Sequence, residues 1–203
     1  MARSIRTITD FKAKLQGGGA RPNLFEVSIP SFPAGVSWDD ETFNFLCKAA
    51  ALPASNIAQI EVPFRGRVLK VAGDRTFDVW TVTIVNDEDF KLRTALEQWM
   101  NQISKLDNGT GITSPGDYMT DAFVHQLGRG ASQGRHSTQH SDTTGGTGIT
   151  PLRSYKFNDI FPTNVAQIDV SYDSTDTIEE YTVEFQVQYW EALGSDQTAT
   201  AVV

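Results

Sequence analysis

Residues 177–193, TIEEYTVEFQVQYWEAL, alternate apolar and polar side chains with a period of two. One set contains Tyr181, Val183, Phe185, Val187 and Tyr189, and the other contains Thr182, Glu184, Gln186 and Gln188. Successive side chains of a strand point to opposite faces of its sheet, so the alternation predicts one strand with a buried face and a wet face. A chain with such a segment has to cover one face of a sheet.

Further strands are predicted before this segment. They cover 23–29, 42–52, 77–85, 121–127, 153–165 and 166–173. Phe43, Phe45 and Cys47 alternate in the second of these, which predicts that all three point inward. Residues 77–85 have aromatic or β-branched side chains in both alternating sets, which predicts a strand covered on both faces. The chain is therefore expected to be rich in β-structure.

A β-hairpin is predicted within residues 53–73, where two β-like halves meet at the sequence FRGR, residues 64–67. Its tip lies near Arg65 and Gly66, because glycine adopts a turn conformation that other residues resist. The flanks of this hairpin are apolar and its tip is basic.

One long helix is predicted over about residues 87–105. Asn86 or Asp87 is expected to cap its N-terminus. The apolar stripe consists of Leu92, Leu96, Trp99 and Ile103, at spacings of 4, 3 and 4 residues. We expect this stripe to pack on a sheet.

The length of 203 residues suits one domain, which we place at 23–193. Residues 1–22 end in GGGARP and are expected to form a flexible, basic N-terminal arm. Residues 128–150 are rich in Gly, Ser and Thr and are expected to form a long surface loop. A C-terminal tail at 194–203 completes the expected organisation.

Charge is distributed unevenly along a chain whose formal net charge is −8. Residues 1–35 carry five basic and two acidic side chains, whereas residues 155–203 carry nine acidic side chains and one lysine. Tight binding of nucleic acid needs Lys and Arg against phosphates, so the overall balance argues against it. In a repeated assembly, the basic arm of one subunit could meet the acidic surface of the next.

The sequence contains no recognisable catalytic, cofactor or metal site. His136 and His140 have the spacing of two metal ligands on a helix, but their Gly, Ser and Thr neighbours favour a loop. Cys47 with His125 is one conceivable nucleophile pair, although the alternation around Cys47 favours a buried structural thiol. We therefore expect no enzyme activity. The N-terminus has no apolar signal segment, and we expect a soluble protein.

Five blocks in fixed order resemble the tail tube protein of contractile-tailed, T-even-like bacteriophages. They are ARPNLFEV (20–27), CKAAALPAS (47–55), VPFRGRVLKVAGDRTFDVWTVTIVND (62–87), FPTNVAQIDVSYDS (161–174) and IEEYTVEFQVQYWE (178–191). All five blocks lie outside residues 107–150, and the VAGDRTFDVW block is the most specific.

This resemblance implies a structural virion protein with a mainly β fold, an antiparallel β-sandwich or barrel with one flanking α-helix. It implies that six copies close into a ring and that rings stack into a hollow tube inside the contractile sheath. The implied partners are other copies of the chain, the tail sheath protein, and the baseplate and tail terminator proteins. Phage DNA would pass through the channel without specific binding, and the tail would be assembled in the host cytoplasm. No cofactor is implied.

The hairpin and the charged stretch that follows it are the candidates for contact between subunits or rings. The candidate residues are Val62, Phe64, Arg65, Arg67, Lys70, Asp74, Arg75 and Asp78. Residues 72–78 are expected to form a turn beside the hairpin, in which opposite charges fix the register between subunits. In an isolated domain the same charges would be ordinary solvated turn residues.

Two other functions remain open at this point. The chain could form the inner tube of a related contractile injection system, of the type VI or the extracellular kind. It could also be a β-sandwich module that binds carbohydrate through a platform of tryptophans. The tryptophans available for such a platform are Trp38, Trp80, Trp99 and Trp190.

Overall fold

The computed structural model describes residues 7–15, 19–52, 54–128 and 151–193. The helices in these ranges are α1 (Ile8–Lys14), α2 (Asp40–Leu46), α3 (Lys91–Ile103) and α4 (Pro115–Tyr118). The strands are β1 (Phe25–Ser28), β2 (Cys47–Ala50), β3 (Ser55–Phe64), β4 (Arg67–Phe77), β5 (Trp80–Val85), β6 (Thr120–Gln126), β7 (Arg153–Val165), β8 (Glu180–Gln186) and β9 (Tyr189–Leu193). The prediction of a mainly β chain is confirmed, with three short helices added to the one that was expected.

Seven strands form one sheet in the order β1-β6-β7-β8-β5-β2, and β9 also pairs with β7. The pairs β2–β5, β5–β8 and β7–β8 are antiparallel. Strands β3 and β4 form a separate antiparallel two-stranded sheet. This hairpin is therefore not hydrogen-bonded into the main sheet.

The chain divides into two compact units. The larger unit comprises residues 27–124 and 155–191, and it contains the hairpin, helices α2 to α4 and most of the main sheet. The smaller unit comprises residues 1–26, 125–154 and 192–203, and its described part contains α1 and the ends of β1, β6, β7 and β9.

The core of the larger unit is built on the paired strands β5 and β8. Trp80, Val82 and Ile84 lie directly opposite Phe185, Val183 and Tyr181, and all six side chains are buried. The ring of Trp80 stacks on Phe157, with centroids 4.8 Å apart. The alternating residues Thr81, Thr83 and Val85 of β5 are half-buried, so the predicted cover on both faces is complete on one face and partial on the other.

Helix α3 begins at Lys91, later than predicted, and ends at Ile103. Neither predicted cap acts as one, because Asn86 Nδ2 donates to Glu179 and Asp87 Oδ1 accepts from the amide of Asp89 in a turn. Phe90, in a left-handed conformation with φ of 51°, precedes the helix instead. The predicted stripe is confirmed: Leu92, Leu96 and Trp99 are buried and Ile103 is half-buried. Among the described residues, no helix has the length and apolar character to cross a membrane.

Residues 40–46 form helix α2, so the strand predicted over 42–52 was wrong in its first half. Asp39 caps this helix, accepting a hydrogen bond from the amide of Thr42 at 3.2 Å. Helical geometry separates positions two apart by more than half a turn. As a result Phe43 is buried whereas Phe45 is 81% exposed. Cys47 is buried as expected and begins β2.

The strand predicted at 166–173 is absent: residues 166–179 contain no strand. The ladder beside β8 ends where the amide of Ala166 donates to Thr182 O at 2.8 Å, and β5 occupies the other edge of β8. The chain after Ala166 therefore cannot extend the ladder beside β8. The predicted strand at 177–193 is divided into β8 and β9, and Tyr189 is exposed rather than inward.

Candidate assembly surface

The hairpin of β3 and β4 is exposed along nearly its whole length. Its tip, predicted at Arg65–Gly66, is confirmed: Phe64 lies opposite Arg67, and the two residues between them have φ of 47° and 82°. A two-residue turn with positive φ at both positions matches the twist of the flanking strands, which favours glycine at the second. The sequence therefore specifies the hairpin register at its tip.

A shift of register between Ile57 and Gln59 divides the hairpin into a base and an outer ribbon. Residues directly opposite each other in antiparallel strands share a face. One face of the outer ribbon thus carries Ile60, Val62, Phe64, Leu69 and Val71, together with Arg67. We call these five apolar side chains the apolar face. Each of them is between 44% and 66% exposed.

The opposite face of the outer ribbon is more polar. It carries Gln59, Glu61, Pro63, Val68, Lys70 and Ala72. Lys70 Nζ lies 3.6 Å from a carboxylate oxygen of Glu61, directly across the ribbon. The pair is exposed to solvent, so it contributes at most about 1 kcal/mol to stability. Lys70 is thus part of the polar face, away from the apolar face that the sequence analysis grouped it with.

The tip of the hairpin is positively charged. Arg65 lies over the ring of Phe64, with its guanidinium carbon 5.3 Å from the ring centroid. Neither Arg65 nor Arg67 forms an ion pair with any residue in the described ranges. An apolar face with a basic end is thus presented to solvent.

The remaining candidate residues lie at the base of the hairpin. Asp74 and Arg75 are inside β4, so the turn predicted at residues 72–78 is wrong. Arg75 lies opposite Ile57. Asp78 accepts a hydrogen bond from Asn56 Nδ2 at 3.0 Å, next to the backbone bond from Asp78 N to Ala54 O that closes the hairpin. At about 3.3 Å per residue, these groups are roughly 25 to 40 Å from the tip. The structure brings together Val62, Phe64, Arg65 and Arg67, and it separates Asp74, Arg75 and Asp78 from them.

A second exposed surface lies at residues 169–178, within the acidic C-terminal third and partly within the segment 166–173 that was predicted to be a strand. Every residue in this stretch is exposed, and it includes Val170, Tyr172 and Ile178. We call it the acidic segment, because it contains three aspartates and no basic residue. Two of its aspartates occupy polar positions of an apolar alternation, and the depletion of aspartate in strands was the available signal against the predicted strand.

The residues considered for chemistry have structural partners instead. Cys47 is buried, and its thiol donates to Ala49 O at 3.6 Å. His125 Nδ1 and Ser154 Oγ are 2.8 Å apart. Among the described residues, no group of three His, Cys, Asp or Glu side chains could hold a metal ion. His136 and His140 lie outside the described residues.

We expect Cys47 to resist thiol reagents in the native protein. Burial raises the pKa of its thiol to about 12. Because a raised pKa keeps the thiol neutral through pH 8, the reactive thiolate is scarce until the chain unfolds. An aromatic disulfide reagent at pH 8 should therefore react slowly in buffer and rapidly in guanidinium chloride. Equal rates in both conditions would show that Cys47 is accessible.

The comparisons with known proteins agree with one another. A family model described as phage tail tube protein matches residues 20–193. The tail tube protein gp19 of Enterobacteria phage T4 is 34% identical over 175 residues, covering 86% of this chain and 93% of that protein. The tail tube protein of Serratia phage KSP90 is 22% identical over 193 residues, covering 93% of this chain and 97% of that protein.

Solved structures share the fold at low sequence identity. A chain in the anti-feeding prophage baseplate superposes with a TM-score of 0.59 at 11% identity, covering 87% of this chain and 97% of that one. A chain in the extended sheath–tube complex of an extracellular contractile injection system superposes with a TM-score of 0.53 at 13% identity, covering 94% of this chain and 99% of that one.

Proposed function

Because the chain belongs to the phage tail tube protein family, we propose that six copies close into a ring and that rings stack into the hollow inner tube of a contractile tail. The protein is a structural component of the virion tail. The tube would conduct phage DNA during ejection, inside a contractile sheath.

The apolar face of the hairpin is the observation that carries this proposal. Five large apolar side chains on one face of an isolated ribbon would gain little in a monomer, since a two-stranded hairpin is at best marginally stable in water. Both strands also have one unpaired edge, which invites pairing with another chain. A ring or a stack of rings covers such surfaces and closes on itself, whereas an open contact would aggregate. We assign the apolar face and the basic tip to the contact between copies.

The remaining partners follow from the family and from the neighbouring folds. One matching structure is named for a baseplate, another for a tube-terminating cap and a third for a sheath–tube complex. We propose equivalent partners here: baseplate, tail terminator and sheath proteins, with assembly in the host cytoplasm. The formal net charge of −8 favours passage of DNA over its retention, because a wall of like sign does not hold phosphates. We propose no catalytic step.

Electron microscopy of the purified protein tests this proposal, with sedimentation velocity as the measure of particle size. We expect six-membered rings or hollow tubes in equilibrium with smaller species. A protein that stays monomeric at every concentration, with native circular dichroism, would contradict self-assembly. Rings with a subunit number other than six would correct the symmetry alone.

Two alternatives are weaker. An inner tube of an injection system without a capsid would have the same fold, but the tail tube proteins of phages T4 and T6 are 34% identical to this chain and the injection-system chains 11–13%. A carbohydrate platform needs exposed tryptophans. Trp80 and Trp99 are fully buried, and Trp38 and Trp190 are half-buried against other aromatic rings.

A further inference from the structure

Helix α1 carries an apolar stripe that no other part of the described chain buries. Ile8, Phe11 and Leu15 have the spacing of one helical face and are 69%, 60% and 45% exposed. None of the residues of α1 is buried. A short helix whose apolar face is in water lacks the tertiary packing that stabilises most helices.

The N-terminus of α1 is well capped by its own residues. The side chain of Thr7 accepts from the amide of Asp10 at 3.2 Å, and the Asp10 carboxylate accepts from the amide of Thr7 at 3.0 Å. These reciprocal bonds hold the pKa of Asp10 below its usual value. A helix of seven residues is nevertheless shorter than the roughly 12–15 residues at which isolated helices become even marginal. The cap favours the helical conformation, but a helix this short needs a surface that covers its apolar side chains.

The charge of the N-terminal segment indicates which surface α1 binds. Residues 1–15 contain four basic side chains and one acidic side chain, so α1 belongs to a basic segment. The apolar face of the hairpin also ends in arginines, and two basic surfaces repel each other. The acidic segment at 169–178 has the opposite sign, with three aspartates and no basic residue.

The acidic segment also offers matching apolar side chains. Val170 and Ile178 are 81% and 73% exposed, and Tyr172 is fully exposed. Asp169, Asp173 and Asp176 have no cationic partner among the described residues. The neighbouring carboxylates of Glu179 and Glu180 are already bonded, to Asn86 and Lys48. The acidic segment therefore carries both the carboxylates that lack a cationic partner among the described residues and the exposed apolar side chains.

We propose that α1 of one copy binds the acidic segment of a second copy. Ile8, Phe11 and Leu15 cover Val170, Tyr172 and Ile178, while Lys12 and Lys14 face the aspartates. The contact rests on the proposed self-assembly and adds to it a defined link between one subunit and its neighbour. Through this contact the N-terminal segment of each copy is bound to a neighbouring copy in the tube. Charge pairing at its edge fixes the orientation of the helix, and the apolar contact supplies most of the affinity.

Disulfide crosslinking between two cysteine variants of this protein, which we call the two carriers, tests this contact. One carrier has Phe11→Cys, the other has Tyr172→Cys and a tag that changes its mass, and the two are mixed, assembled and oxidised. Cys47 stays in both carriers because it is buried. We expect a crosslinked heterodimer in the assembled fraction and its loss in the unassembled fraction. A carrier with Leu106→Cys, 95% exposed in the native chain, replaces Tyr172→Cys as the matched control and should crosslink only at background level.

Charge reversal separates a specific contact from accidental proximity. Lys12→Glu with Lys14→Glu in the first carrier should lower the crosslink yield, and Asp173→Lys with Asp176→Lys in the second should restore it. If a cysteine blocks assembly, Ile8→Cys with Ile178→Cys samples the same contact. Assembled particles in which neither pair crosslinks above the Leu106 control would overturn the inference and leave the proposed function intact. Crosslinking of Tyr172→Cys to a Leu69→Cys carrier instead would assign the acidic segment to the hairpin. Failure of the unsubstituted protein to form rings or tubes would overturn the proposed function itself.

Discussion

Replacing Leu69 with Asp leaves the subunit folded and abolishes its assembly into rings and tubes. Leu69 is 62% exposed in the apolar face, so a carboxylate there stays hydrated in the free subunit, where exposed substitutions change stability by about 0.5 kcal/mol or less. In a covered interface the same carboxylate is buried without a partner, which costs about 3–5 kcal/mol. Association should weaken at least a hundredfold, since each 1.4 kcal/mol is about tenfold in affinity. Circular dichroism measures the fold and sedimentation velocity measures the assembly.

Val68→Asp is the matched control for that variant. Val68 is the neighbouring residue on the same strand, is 53% exposed and lies opposite Pro63 on the polar face of the ribbon. It introduces the same charge at the same depth of the hairpin but on the other side. We expect it to assemble like the unsubstituted protein. Equal loss of assembly in both variants would show that the hairpin is buried on both faces, and normal tubes from Leu69→Asp would remove the apolar face from the contact.

Replacing Trp80 with Ala destabilises the subunit by about 3–5 kcal/mol, the usual cost of deleting a large aromatic side chain from a core. Trp80 is fully buried, stacks on Phe157 and lies 5.3 Å from the ring of Phe185. A domain of this kind has about 5–15 kcal/mol of stability in total, so the variant should populate unfolded chains or accumulate in inclusion bodies. Urea unfolding followed by fluorescence and circular dichroism gives the free energy of unfolding.

Trp80→Phe separates ring packing from indole hydrogen bonding. The indole nitrogen of Trp80 is buried and has no hydrogen-bond partner among the described residues, so the smaller ring removes an unsatisfied donor while it keeps the stack. We expect a much smaller loss of stability than for Trp80→Ala. Equal losses for the two variants would mean that the ring contacts with Phe157 and Phe185 contribute little.

The hairpin was predictable from the sequence because a local signal fixes it. A turn glycine at position 66 places the tip, and the tip in turn sets the cross-strand partners. The helical stripe of Leu92, Leu96 and Trp99 was predictable for a similar reason, since its period reports one buried face. Patterns of this kind depend on neighbours in the chain, and the structure confirms them.

The errors arose where a competing local signal or the tertiary context decided between local options. Phe43 and Phe45 fit a strand by alternation, but the Asp39 cap starts a helix that buries one ring and exposes the other. Val170 and Tyr172 also alternate, but both edges of β8 are occupied, so that segment does not join the ladder beside it. In both cases the outcome depends on residues outside the alternating pair.

The residues predicted for the contact lie on one surface only in part. Val62, Phe64, Arg65 and Arg67 do lie together, whereas Lys70 belongs to the opposite face. The division into faces needs the cross-strand register, which pairs Glu61 with Lys70 and Val62 with Leu69. The acidic segment could not be found without the burial of each residue, because an exposed Val and a core Val look alike in sequence.

A cryo-electron microscopy map of the assembled protein tests the central claim most directly. We predict rings of six copies, stacked into a tube, in which the apolar face of each hairpin is covered by a neighbouring copy. The side chains of Ile60, Val62, Phe64, Leu69 and Val71, now 44–66% exposed, should become buried there. A tube in which these five side chains still face solvent, on the outer wall or in the channel, would contradict the account.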